Sequence, residues 1–148
     1  MRLRKSSVLL FLLIFSTTSF AQEWETNLEE AKSKAIEGKK IVVIVFQGSD
    51  WCTPCMKLER SIWNSEEFQA YAKDHFVMVQ LDFPRKKANR LSKEQTKYNE
   101  SLAEKYNRQG HFPLVVLMDP TTGNVLAETG YKDIGPKEYI SHLNSLQK

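Results

Sequence analysis

Two stretches of this chain arrange their apolar residues in different ways. Residues 24–37 repeat their apolar positions at helical spacing, with charged residues on the opposite side, and Gly38 is expected to end that helix as a C′ glycine. The apolar stripe consists of Leu28, Ala31, Ala35 and Ile36. Residues 41–46 are instead continuously apolar and mostly β-branched, which is typical of a strand buried on both faces.

The rest of the chain continues the alternation of helices and strands. The predicted elements are a helix over residues 66–73, a strand over 76–82, a helix over 92–106, an antiparallel hairpin over 113–129 and a helix starting at 135–136. The segment after residue 51 is expected to form one more helix, reaching Ile62. This alternation indicates an α/β fold, and 148 residues suffice for one domain with its own core.

The first 21 residues have the features of a secretory signal peptide. Basic residues precede an apolar run over 8–15, and Ala21 supplies a small residue suited to cleavage before Gln22. An uncleaved membrane anchor is the alternative, but this run is shorter than the roughly 20 residues that a spanning helix needs. We therefore predict a signal peptide over 1–21, a domain over 22–148 and an exported protein, periplasmic or extracellular.

The charge of the chain is nearly balanced once the leader is set aside. The whole sequence has 21 Lys and Arg against 18 Asp and Glu, and the excess equals the three basic residues of the leader. Nothing in this balance indicates a nucleic-acid partner. A basic run over residues 84–90 has two interpretations: it is a solvated surface, or it docks an acidic partner.

The two cysteines, Cys52 and Cys55, lie two residues apart at the predicted strand-to-helix junction. If a helix begins near Cys52, its free N–H groups and its dipole stabilise a thiolate there. Cys55, one turn later on the same side, could attack a mixed disulfide on Cys52, which makes Cys52 the nucleophile and Cys55 the resolving thiol. Pro54 suits the first turn of that helix, and Trp51 would shield one side of the pair.

Two other uses of the cysteine pair were weighed. A tetrahedral zinc site needs four ligands, and the chain offers no second cysteine pair and only three histidines, so no metal site is expected. The second alternative is a binding module in which the cysteines are incidental. Trp51, Pro54 and Pro113 around the pair argue against it.

The segment Trp51-Cys52-Thr53-Pro54-Cys55 after a buried strand resembles the thioredoxin active site, whose family pattern is Trp-Cys-Gly-Pro-Cys. Residues 46–52, together with 81–85, resemble exported bacterial thioredoxin-like proteins more closely, and the resemblance covers roughly residues 24–148. It implies a three-layer sandwich with a central mixed β-sheet flanked by helices. It also implies a thiol-disulfide oxidoreductase.

The resemblance assigns a second part of the site to Phe112 and Pro113. Pro113 matches the family's cis-proline, which faces the cysteines, and the backbone of Phe112 would then pair with an extended substrate segment by strand addition. Phe112 is bulkier than the residue usual in the family. We expect Trp51, Phe112 and Pro113 to bind substrate.

One departure from the family concerns proton transfer. Thioredoxins carry a buried aspartate on the strand before the cysteines, whereas this strand is wholly apolar as far as Phe46. Proton exchange with Cys55 must then use water or another group, and His111 and Glu128 are the candidates.

The direction of the reaction depends on the reduction potential of the pair. Thr53 and Pro54, between the cysteines, are expected to tune it, and Pro54 follows the pattern of reducing thioredoxins, which favours a reductase; isomerase or oxidase is the alternative. The expected partners are protein thiols and disulfides and a membrane-bound electron donor or acceptor. No cofactor is expected beyond the Cys52–Cys55 disulfide, and the chain is expected to be a monomer.

Overall fold

The computed structural model describes residues 23–147, so the predicted signal peptide and its boundary lie outside the described residues. The strands are β1 Trp24–Glu25, β2 Ile41–Gln47, β3 Phe76–Asp82, β4 Leu114–Met118 and β5 Val125–Thr129. The helices are α1 Leu28–Gly38, α2 Thr53–Leu58, α3 Glu66–His75, α4 Lys93–Tyr106 and α5 Pro136–Ser145. No helix within 23–147 combines the length and the apolar character needed to cross a membrane.

The strands form one mixed sheet in the order β1-β3-β2-β4-β5. β2 lies at its centre, parallel to β3 and antiparallel to β4, and β5 returns antiparallel to β4 as the predicted hairpin. Every residue of β2 from Val42 to Gln47 is buried, which confirms the strand predicted from the apolar run. The site therefore begins at the end of the most enclosed strand.

Helices cover both faces of this sheet. Alternate residues of β2 point to opposite sides, as the strand period requires, so Val43 and Val45 belong to one core and Val42 and Ile44 to the other. The first core is completed by residues of α2, α3 and α5, and the second by residues of α1 and partly buried residues of α4. The fold is thus the three-layer α/β sandwich expected.

The first predicted helix is wrong at both ends. Trp24 and Glu25 pair with β3 as a short parallel strand, and α1 starts only after Asn27, whose side chain accepts the first free N–H groups. Lys39 (φ 54°), not Gly38, adopts the left-handed conformation that ends the helix. Ile36, predicted to be in the apolar stripe, is 52% exposed.

The other helices follow their sequence signals more closely. Ser65 and Ser92 cap α3 and α4, each accepting a backbone N–H three residues on, and Pro136 opens α5. α2 is shorter than predicted, because a π-helical turn over Glu59–Trp63 replaces the α-helix after Leu58. That turn still buries Ile62.

Candidate active site

The cysteine pair lies at the carboxyl end of β2, where open α/β sheets place their sites. The carbonyl oxygen of Gly48 accepts the backbone N–H of Cys52 at 2.9 Å, which turns the chain out of the strand. Cys52 is the N-cap of α2, and its Sγ accepts the backbone N–H of Cys55 at 3.2 Å. Pro54 falls in the first turn, as predicted, where its missing N–H leaves no hydrogen bond unmade.

Cys52 and Cys55 are joined by a disulfide, with their Cα atoms 5.2 Å apart. Each residue is only 3% exposed. Thr53 and Pro54 between them are exposed at the surface. The structure therefore describes the oxidised form, with the disulfide at the N-terminal end of α2.

Trp51 is fixed on several sides. Its Nε1 donates a hydrogen bond to the carbonyl oxygen of Phe83 at 2.7 Å, and the guanidinium of Arg85 lies 3.7 Å from the centre of its ring. Phe112 meets the ring edge-to-face, with the ring centroids 5.2 Å apart. The ring also lies against Gly48, where an added Cβ would come within 2.2 Å of it. A side chain at residue 48 would thus displace the tryptophan.

The peptide bond between Phe112 and Pro113 is cis, as the family resemblance implied. Pro113 is buried directly before β4, whose first residue, Leu114, pairs with Phe46 near the end of β2. Gly130 approaches closely, since a Cβ there would lie 3.1 Å from the carbonyl oxygen of Pro113. The ring of Phe112 is half-buried rather than free, because it packs against Trp51 and Phe83.

The loop before Phe112 is closed by a pair of hydrogen bonds. The buried Asn107 donates from Nδ2 to the carbonyl oxygen of His111 and accepts the backbone N–H of His111 at Oδ1, both at 2.9 Å. Sequence reasoning missed Asn107, whose partners lie in the following loop.

Asp50 organises the basic loop and was also missed. Its carboxylate accepts the backbone N–H groups of Arg85 and Lys86, each at 2.9 Å, and the side-chain amide of Asn89 at 3.0 Å. The N–H of Arg85 is the main cause that holds the pKa of this carboxyl below its ordinary value. The residue that precedes Trp51 therefore fixes the loop that covers Trp51.

A second carboxylate, that of Asp82 at the end of β3, holds the turn after β2. It accepts the backbone N–H of Ser49 at 2.8 Å and its hydroxyl at 2.6 Å. The buried Asn99 of α4 donates to the carbonyl oxygen of Asp82 at 2.9 Å. The only sequence signal for these contacts was the position of each aspartate next to a strand end, and it did not identify their partners.

The two candidates for proton transfer lie at the surface. His111 and Glu128 are both exposed, and neither side chain is hydrogen bonded to a cysteine within the described residues. Phe46 is fully buried and stacks on Phe83 with ring centroids 6.5 Å apart. Across residues 23–147, no three His, Cys, Asp or Glu side chains come together as ligands for a metal ion.

Comparison with known proteins agrees with this geometry. The sequence profile of the family described as thioredoxin-like matches residues 23–120. The disulfide bond reductase DsbH of Chlamydia pneumoniae is 36% identical over 126 residues, which cover 85% of this chain and 73% of that protein. The solved structure of a DsbH oxidoreductase superposes with a TM-score of 0.78 at 34% identity, covering 86% of this chain and 85% of the other.

A thioredoxin from Thermus thermophilus has the same fold, with a TM-score of 0.63 at 16% identity over 86% of this chain and 88% of its own. The fold and the cysteine pair define a thiol-disulfide oxidoreductase. The chain belongs to the thioredoxin-like family.

Proposed function

We propose that this protein reduces disulfide bonds in other proteins outside the cytoplasm, with Cys52 as nucleophile and Cys55 as resolving thiol. The observation that carries the proposal is the position of Cys52 at the N-cap of α2, where its sulfur accepts the N–H of Cys55. In the reduced protein the same N–H and the positive end of the helix favour the thiolate of Cys52. Cys55, whose sulfur is joined to that of Cys52 in the oxidised form, is in range to act as the resolving thiol.

The reaction proceeds by two exchanges. The Cys52 thiolate attacks one sulfur of a substrate disulfide, and the other substrate sulfur leaves as a thiolate that takes up a proton. Cys55 then loses its proton and attacks Cys52 Sγ, which releases the second substrate thiol and forms the Cys52–Cys55 disulfide. Two electrons pass to the substrate, and of the two protons it takes up, one comes from Cys55 and one from solvent. An external dithiol must supply two electrons to regenerate the pair.

Trp51, Phe112 and Pro113 are proposed to hold the substrate. Two observations support this: the ring of Phe112 contacts Trp51, the chain neighbour of Cys52, and the cis bond before Pro113 matches the family feature implied to face the cysteines. An extended substrate segment would then add as a strand along the backbone of Phe112. The packed ring of Phe112 supplies an apolar contact for that segment. We assign proton exchange with Cys55 to water. The strand before the cysteines, which carries a buried aspartate in thioredoxins, is apolar here as far as the fully buried Phe46.

Reduction is favoured over isomerisation or oxidation for two reasons. Thr53-Pro54 keeps the proline of reducing thioredoxins, and the similar protein of Chlamydia pneumoniae is described as a disulfide bond reductase. Export is supported by the leader-like residues 1–21. A reductase that works there needs a donor, which we propose to be membrane-bound, and we propose that the chain itself acts as a monomer.

Trapping tests the roles of the two cysteines. Cys55→Ser should accumulate mixed disulfides between Cys52 and protein substrates, because the resolving attack is removed. Cys52→Ser is the matched control and should capture none. Alkylation in acid followed by non-reducing electrophoresis reads the result. Capture by Cys52→Ser but not by Cys55→Ser would reverse the two roles.

The reduction potential tests the direction. Equilibration with glutathione, read by quenched alkylation of Cys52 and Cys55, should give a value near that of thioredoxin, roughly −270 mV. A value near roughly −180 mV, as in protein disulfide isomerase, would overturn the reductase assignment and support isomerisation. Thr53→Gly restores the thioredoxin pattern and measures how far this residue tunes the pair.

A further inference from the structure

An open groove runs between the loop at residues 83–91 and the first turns of α4. Its volume is about 820 Å³, enough for several side chains of a peptide. The apolar part of its wall is formed by Phe83, Pro84 and Leu91. Its basic part is formed by Arg90, Lys93 and Lys97.

The positive charges of this groove have no acidic partners in the part of the chain that the structure describes. The ion pairs recorded there involve Lys32 and Lys34, at α1, and none involves Arg90, Lys93 or Lys97. Glu100 is the acidic side chain that also lines the groove, besides Asp82, whose carboxylate is taken up by Ser49. The lining thus carries three positive charges against the two carboxylates of Asp82 and Glu100, so the groove keeps a net positive charge that complements an acidic ligand.

The groove is built on fixed backbone. Asp50 holds one wall through the N–H groups of Arg85 and Lys86, and Asn99 ties the end of β3 to α4 through the carbonyl oxygen of Asp82. Gln95 supports Asn99 by donating to its Oδ1 at 2.8 Å. A ligand would thus bind without ordering the loop first, which lowers the entropic cost of binding.

The groove is continuous with the active site through one residue. Phe83 lines the groove, its carbonyl oxygen accepts the hydrogen bond from Trp51, and its ring packs against Phe112 with centroids 5.5 Å apart. A substrate strand laid along Phe112 would therefore lie beside Phe83, a residue that also forms the apolar wall of the groove.

We propose that this groove binds an acidic segment of the substrate protein that flanks the disulfide to be reduced. The inference rests on the proposed function, because it assigns the substrate class of the same site. The apolar wall would receive a side chain of the segment, and Arg90, Lys93 and Lys97 would pair with its Asp or Glu residues.

The test uses two disulfide-bonded peptides that differ only in the residues flanking one cysteine, Asp and Glu in one peptide and Asn and Gln in the other. With an external dithiol as electron donor, and with its direct reaction with each peptide subtracted, the purified protein should reduce the acidic peptide with a kcat/KM about fivefold to tenfold higher at low ionic strength. Salt should remove the difference. In Lys93→Glu/Lys97→Glu the ratio of the two kcat/KM values should fall to about one or below.

Lys105→Glu/Lys137→Glu is the matched control. It changes charge by the same amount at exposed positions that do not line the groove, and it should keep the wild-type ratio. Urea denaturation should first show that both double variants unfold at a midpoint close to that of the wild type.

Equal kcat/KM values for the two peptides, or equal ratios in the two double variants, would overturn the groove assignment and leave the reductase proposal intact. Binding of the wild-type protein to phosphatidylglycerol vesicles through Lys93 and Lys97, without a peptide preference, would assign the groove to a membrane surface and overturn it as well. If the protein reduces neither of the two peptides nor the neutral disulfide of 2-mercaptoethanol, the proposed function itself is overturned.

Discussion

The indole Nε1 of Trp51 donates a hydrogen bond to the backbone carbonyl oxygen of Phe83, 2.7 Å away and 32 residues along the chain. The tryptophan beside Cys52 is thus held by the loop after β3 as much as by its own segment. Arg85 over the indole ring and Asp50 beneath the loop complete this connection. Substitutions in the loop should therefore alter the position of Trp51 beside Cys52.

Gly48→Ala should displace Trp51, because the new Cβ would lie 2.2 Å from Cε2 of the ring. We expect the free energy of unfolding to fall by about 1–3 kcal/mol, from the forced shift and the lost hydrogen bond to Phe83. Urea denaturation followed by circular dichroism measures it. In the control Gly38→Ala, the Cβ meets only the flexible Lys40 side chain, so stability should be unchanged or higher. An unchanged midpoint for Gly48→Ala would contradict this packing.

Asp50→Asn should loosen the loop that covers Trp51. A neutral amide has one acceptor oxygen, whereas the carboxylate now accepts from Arg85, Lys86 and Asn89. Hydrogen exchange at the Arg85 and Lys86 amides should become faster by about tenfold or more. Asp119→Asn, at another exposed carboxylate that accepts backbone N–H groups, should leave these two amides unchanged.

The same loop should respond to acid. Hydrogen bonds, chiefly from the N–H of Arg85, hold the pKa of Asp50 below its ordinary value, so the folded state favours the carboxylate. This contribution is present above the unfolded pKa of about 3.9 and is lost as the pH falls through the lower folded value. Protection of the Arg85 amide should decline in that range in the wild type and stay flat in Asp50→Asn. Parallel curves would refute the link.

Asn99→Ala should destabilise the protein by about 1–3 kcal/mol, because it removes a buried amide and leaves the partly buried carbonyl oxygen of Asp82 without this donor. Asn99 is 1% exposed and donates to the carbonyl oxygen of Asp82. Gln95→Ala removes the hydrogen bonds from Nε2 to Asn99 and to the carbonyl oxygen of Thr26, both at a partly exposed residue, and should cost less. Chemical denaturation of both variants checks the order, and a larger loss for Gln95→Ala would be inconsistent with it.

Tyr139→Phe should lower stability by about 1 kcal/mol, because it removes only the hydrogen bond from the buried hydroxyl to the carbonyl oxygen of Gly130. Burial raises the pKa of Tyr139, so the folded protein keeps this proton in alkali while the unfolded chain loses it near pH 10. The stability tied to that proton is present below about pH 10 and is lost above it. Between about pH 10 and 11 the wild type should therefore lose stability more steeply than Tyr139→Phe; equal slopes would contradict a buried Tyr139.

Local signals in the sequence were sufficient for most of the framework. The apolar run of β2 is buried on both faces because it lies at the centre of the sheet, and Ser65, Ser92 and Pro136 mark helix starts that depend only on neighbouring N–H groups. The N-cap position of Cys52 followed from the same reasoning. The cis bond before Pro113 came from the family resemblance rather than from the residues themselves.

The sequence-based predictions are wrong where a distant strand determines the structure, or where two neighbouring residues could equally well end a helix. Trp24 and Glu25 form a strand only because β3 offers them an edge, and a segment of two residues carries no period of its own. Lys39 rather than Gly38 takes the left-handed conformation, although glycine adopts it at lower cost. The contacts of Asp50 with Arg85 and of Asp82 with Ser49 were not identified because these partners lie more than 30 residues away along the chain.

The pair of hydrogen bonds between Asn107 and His111 separates the tip of that loop from the residues that follow it. Arg108, Gln109 and Gly110 lie exposed at the tip, outside this clasp. The tip can therefore change in length or carry an added sequence, such as an affinity tag, while Phe112 keeps its position. Because these two hydrogen bonds hold the base of the loop, a label attached at its tip would leave the residues from His111 onward in place.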